Sequence, residues 1–97
     1  MKFIQIIEYT TTKPDEVQAA LDEFLAATGG SRPNTRASVT VDRDRPNTYL
    51  NIVEFPSYEV AMKNSESPEV KALSEKMMKL ADGPPTFRNL DVTFEEG

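Results

Sequence analysis

Between Tyr49 and Gly83 the chain reads YLNIVEF (49–55), PSYEVAMKNSES (56–67) and PEVKALSEKMMKLADG (68–83). The first segment is rich in aromatic and β-branched residues and reads as a strand. Its alternation puts Leu50 and Ile52 on one face and Tyr49, Asn51, Val53 and Phe55 on the other. Pro56 breaks the run. Ser57 then offers a hydroxyl to an orphan backbone N–H at a helix start, and Tyr58, Ala61, Met62 and Ser65 share one face of a short helix. Ser67-Pro68 starts a second helix, with Val70, Leu73, Met77 and Leu80 as its apolar stripe and Lys71, Glu75, Lys76 and Lys79 as its solvated face. Gly83-Pro84-Pro85 stops it. A strand thus feeds a broken helix, a unit suited to forming one wall of a ligand pocket.

Upstream, DRDRPN (42–47) reads as a hairpin connection. Before it, Ala37, Val39 and Val41 alternate with Arg36, Ser38, Thr40 and Asp42, which predicts an edge strand buried on one side. Lys2 to Thr10 carries Phe3, Ile4, Ile6, Ile7 and Tyr9 on both faces and predicts a central strand. Pro14, Asp15 and Glu16 suit a helix start. Val17, Ala20, Leu21, Phe24, Leu25 and Thr28 form its stripe, Gly29-Gly30 ends it, and Ser31 to Asn34 is a loop. Downstream, Phe87 to Glu95 alternates Leu90, Val92 and Phe94 against polar residues and predicts a last strand before a short acidic tail.

The order is β-α-β-β-α-β, a single α+β ferredoxin-like domain over residues 1–97 with helices on one face of an antiparallel sheet. Two helices cover one face only. Because the central strands are apolar on both, the economical arrangement is a homodimer with sheets packed face to face; the alternative is a monomer with an untidy outer face.

Composition narrows the chemistry. Eleven Lys and Arg against 16 Asp and Glu give a net charge of −5, which argues against nucleic acid and against an anionic membrane surface as partners. With no cysteine there is no disulfide or thiol nucleophile; with no histidine there is no imidazole base and no imidazole ligand for zinc or haem. The N-terminal MKFIQIIEY lacks the pattern of a secretory signal, and no run approaches the ~20 apolar residues of a spanning helix, so a cytoplasmic location is expected.

The hairpin at Asp42 to Asn47, the Glu54-Phe55 strand end, Ser57 at a helix start, the Ser67-Pro68 restart and Gly83-Pro84 together resemble the antibiotic-biosynthesis monooxygenase family of the dimeric α/β barrel superfamily. The resemblance implies a ferredoxin-like fold that pairs into a dimeric barrel, with a small apolar pocket between sheet and helices. Many relatives place tryptophan where Phe55 stands and histidines near the helix break, where this chain has Asn64 and Glu69; it contains neither residue type. The resemblance then implies the quinone-forming, cofactor-independent branch rather than the haem-degrading one. In that chemistry an electron-rich phenol is deprotonated and itself reduces O₂ in a pocket that excludes water and stabilises a phenolate. The alternative is a non-catalytic dimeric α/β barrel protein that binds a small metabolite or serves as an interaction module.

Asn51 leads the candidate ligand contacts, since an amide within an apolar sheet must find a partner. A substrate oxygen and a neighbouring side chain or water are the two options. Tyr49 and Phe55 share its face. Gln5 and Asn89 invite the same question, although strand-to-strand parity cannot be read from numbering. Tyr58 is a possible phenolate partner, and Met62 and Met77 are adaptable lining or plain core. Tyr9 and Tyr49, like Tyr58, are partners or acids for a phenolate or else packing at the core rim, and Asp91 is a general base only if buried. Arg88 pairs with an anionic ligand or with solvent, and Arg43 and Arg45 form a solvated turn. No metal or organic cofactor is expected.

Overall fold

Two central strands carry the sheet, β1 (Phe3–Thr10) and β3 (Thr48–Phe55), paired antiparallel with Phe3 opposite Phe55 and Thr10 opposite Thr48. Outside them lie β2 (Arg36–Val41) against β3 and β4 (Thr86–Asp91) against β1, giving the order β2-β3-β1-β4 with every pairing antiparallel. Among the described residues three helices accompany the sheet: α1 (Pro14–Thr28), α2 (Tyr58–Ser65) and α3 (Pro68–Leu80). This is the ferredoxin-like βαββαβ arrangement with its second helix broken. The computed structural model describes residues 1–29 and 32–96, so Gly30 and Ser31, read as the helix stop and the head of a loop, lie outside the described residues.

The register sorts the side chains into two faces. Four rows cross the inner, helix-facing side: Phe3–Phe55; Asn89–Gln5–Val53–Ala37; Phe87–Ile7–Asn51–Val39; and Tyr9–Tyr49–Val41. On the outer side Ile4, Ile6, Leu50, Ile52 and Leu90 form an apolar patch. Beside it Glu8 holds Arg88 at 3.1 Å and Arg45 at 3.7 Å. Arg45 lies in the solvated turn that the sequence suggests and approaches Glu8 from there, and Arg88 is engaged by a protein carboxylate.

Both helix starts around the break form as their sequences dictate. Ser57 Oγ accepts the Val60 N–H and Ser67 Oγ accepts the Val70 N–H, each at 3.2 Å. Only Glu66 and Ser67 separate α2 from α3. α1 and α3 lie side by side, tied at the surface by Lys76 Nζ to Glu23 Oε2 at 2.7 Å.

The last strand is shorter than its alternation suggests. It ends at Asp91 because Asp91 already faces Phe3, the first residue of β1. Beyond it one bond, Val92 N–H to the Lys2 carbonyl at 2.9 Å, continues the ladder, and Phe94 is left 79% exposed. Alternation alone does not make a strand; a partner must run alongside.

Packing closes the domain at its two ends. At one, Phe3, Phe55 and Ala61 are buried together, with Val53, Val60 and Met62 against them. At the other, Thr11 is wholly buried: its hydroxyl donates to the Leu80 carbonyl at 2.8 Å and accepts the Lys13 N–H at 3.0 Å, while its own N–H donates to the Asn47 carbonyl at 2.9 Å. Thr11 thereby ties β1, the start of α1, the end of α3 and the hairpin at one point. Gly83 then turns the chain toward β4 with φ +119°, a conformation that needs the missing Cβ. Between these closed ends the two middle rows of the inner face meet the helices less tightly.

Candidate functional site

The middle rows form the floor of a cleft whose roof is the stripe of α3 and part of α1. It has two lobes of about 250 and 290 Å³, which share Gln5, Ile7 and Asn51 below and Val70 and Leu73 above. One lobe runs toward β4, between Phe87, Pro85 and Met77. The other runs toward β2, between Val39, Phe24 and Leu25, with Arg32 in its wall. Neither Val70, Leu73 nor Met77 is fully buried, because these stripe residues face the cleft instead of a filled core.

Asn51 sits where the lobes join. Its Oδ1 accepts the Tyr9 hydroxyl at 3.3 Å. Among the described residues its amide nitrogen has no hydrogen-bond partner. No sealed side-chain polar atom among them lacks a partner, so this nitrogen opens onto accessible space, and the space Asn51 lines is the cleft. The amide therefore presents donors to a ligand, and an oxygen acceptor is what it can hold. Tyr9 in turn stacks on Tyr49, with ring centroids 5.8 Å apart and planes 21° from parallel. Burial, then the neighbouring Tyr49, push the Tyr9 hydroxyl above its ordinary value, and the Asn51 bond only partly offsets them. Tyr9 is accordingly a protonated donor at neutral pH.

The remaining sequence candidates divide. Gln5 and Asn89 fall in one row on the inner face and are joined by a long bond, Nε2 to Oδ1 at 3.4 Å. Met77 lines the β4 lobe and Phe55 closes the end of the β2 lobe as well as the core. Tyr49 lies behind Tyr9 and lines a neighbouring hollow near Thr11. Tyr58 and Met62 are placed elsewhere. Tyr58 is half exposed and meets Phe3 edge-on at 5.3 Å, and Met62 packs on the core cluster, because α2 covers the closed end of the sheet. Asp91 is exposed on the edge strand.

The sequence offers Tyr9 as a phenolate partner or as rim packing, and it does not single out Ile7, Phe87 or Arg32 as site residues. Ile7 and Phe87 meet Asn51 only through cross-strand register, which no local pattern displays. Among the described residues no three His, Cys, Asp or Glu side chains stand where they could hold a metal ion, and no helix is long and apolar enough to cross a membrane.

No protein-family model matches the sequence, and no curated protein matches it. Solved structures do match. A protein of Caulobacter crescentus named for the antibiotic biosynthesis monooxygenases superposes with a TM-score of 0.84 at 14% identity, over 96% of this chain and 91% of that one. SnoaB, a cofactor-independent oxygenase of Streptomyces nogalater, gives 0.80 at 16% identity over 97% and 95%. Rv0793 of Mycobacterium tuberculosis gives 0.81 at 15% identity over the whole of both chains. The family that the sequence resembles is the one whose fold these structures share, and the chain has the ferredoxin-like fold of the antibiotic biosynthesis monooxygenases.

Proposed function

We propose that the protein binds a small, flat aromatic molecule in the sheet–helix cleft and oxygenates it with O₂, without metal or flavin. The observation that carries this is the unpartnered amide nitrogen of Asn51 in an otherwise largely apolar cleft. A phenolic oxygen placed there accepts a hydrogen bond that strengthens as negative charge develops on it, and this favours the phenolate. Such an anion is electron-rich enough to reduce O₂ directly. In an anthrone the ring CH₂ becomes a carbonyl, one oxygen atom entering the product and the other leaving as water. The shared floor of the cleft contains Gln5, Ile7 and Asn51 and no carboxylate, so the protein's part is to stabilise the anion and keep water from it. The fold shared with SnoaB, a cofactor-independent oxygenase, supports the same reading.

The missing carboxylate equally favours a second reading, in which the same cleft holds a metabolite and performs no chemistry on it. Oxygen uptake with an anthrone and a panel of hydroquinones separates them. Turnover above the uncatalysed rate, lowered at least about tenfold by Asn51→Ala with a melting temperature shifted by only a few degrees, supports the oxygenase. Binding without turnover across the panel supports the second reading, and parallel losses of activity and stability remove Asn51 from the site. In either case we place the chain in a homodimer. Ile4, Ile6, Leu50, Ile52 and Leu90 form an apolar outer face that a second sheet would cover.

A further inference from the structure

Of the eleven Lys and Arg in a chain whose net charge is −5, seven take part in none of the ion pairs among the described residues, and of those seven Arg32 alone is not fully exposed. Its guanidinium carbon lies 5.2 Å from the centroid of the Phe24 ring, and the residue is only partly exposed. A guanidinium laid over an aromatic face gains cation–π attraction and loses rotamer freedom before any ligand arrives. Arg32 also lines both the β2 lobe of the cleft and an outer groove of about 380 Å³ beyond it. In that groove Lys63 and Glu69 are the other charged side chains, one of each sign. Arg32 is thus the net positive charge at this mouth.

The floor gives the scale. Phe87, Ile7, Asn51 and Val39 form one row across all four strands, three interstrand spacings or roughly 14 Å. A fused two- or three-ring system can lie along such a row. An oxygen held by Asn51 then leaves the far end of the molecule in the lobe walled by Arg32.

We propose that Arg32 reads a carboxylate at one end of the aromatic ligand, so that the preferred substrate is an aromatic acid lying across the strands. The inference rests on the cleft being the ligand site. The planar fork of a guanidinium matches a carboxylate bidentately, and one cation meets one negative charge. Asn51 then recognises the oxygen near the middle of the molecule and Arg32 its end, which fixes the direction in which it lies.

The test uses the full chain and two fluorescent probes of equal length, anthracene-2-carboxylate and the neutral anthracene-2-methanol, titrated by anisotropy at low and high salt. The wild type is expected to bind the carboxylate about five- to tenfold more tightly, with that advantage shrinking as salt rises. Arg32→Gln should abolish the advantage, costing the carboxylate about five- to tenfold more affinity than it costs the neutral probe. Equal affinity of the wild type for both probes, or equal loss of both in Arg32→Gln, overturns the role of Arg32 while leaving the cleft as the site. Failure of the wild type to bind either probe overturns the cleft as an aromatic site, and the role of Arg32 with it.

Discussion

Replacing Thr11 by valine tests whether one buried hydroxyl holds the closed end of the domain together. The two side chains are nearly equal in volume, so the change acts on hydrogen bonding more than on packing. It removes the donor to the Leu80 carbonyl at 2.8 Å and the acceptor of the Lys13 N–H at 3.0 Å at a residue that is 0% exposed. The Leu80 carbonyl is one of those a helix leaves unpaired at its C-terminus, and the Lys13 N–H stands at the entry to α1. Each bond contributes about 1 kcal/mol net, and each group left unpaired and buried costs about 1–3 kcal/mol, so the expected loss is about 2–4 kcal/mol. Against the roughly 5–15 kcal/mol typical of a domain this is a large fraction. Thr11→Ser keeps the hydroxyl and deletes one buried methyl, for a loss of about 1 kcal/mol. Urea unfolding followed by circular dichroism, at one fixed protein concentration, measures both. A Thr11→Val protein within about 0.5 kcal/mol of wild type, or a serine variant weaker than the valine one, would show that the closure lies elsewhere.

Two further outcomes follow from the inner and outer faces. The hydroxyl of Tyr9 titrates above its ordinary value, chiefly through burial, so the folded state holds that proton more tightly than the unfolded chain does. Its contribution to stability is complete below about pH 10 and is lost as pH rises from there through the raised value, so melting temperatures measured across that window should fall less steeply in Tyr9→Phe. On the other face, Ile52→Lys places a charge in the middle of the apolar patch and should turn a dimer into a monomer in analytical ultracentrifugation, with α/β circular dichroism retained; an unchanged association state would rule out the sheet-to-sheet dimer.

The order of elements was legible because each is punctuated locally. Ser57 and Ser67-Pro68 make the capping bonds that their types and positions announce, and the apolar runs of β1 and β3 mark the two central strands. Asn51, Tyr49 and Phe55 share a face because alternation within one strand is a covalent fact. Register decided the rest. Gln5 joined Asn89, and Ile7 and Phe87 joined Asn51, through pairings between strands distant in sequence, and β4 stopped at Asp91 where its partner ran out. The donor that Asn51 offers the cleft also depends on such a pairing, since Tyr9 comes from another strand to occupy its oxygen. Thr11, inside the run Thr10-Thr11-Thr12, carries no local mark of its burial, and Arg32 is set apart only by what lies around it. Short-range sterics and capping thus settled which elements form and in what order. Which side chains meet to make a site was settled by long-range strand pairing, where contact depends on register and not on neighbours in the chain.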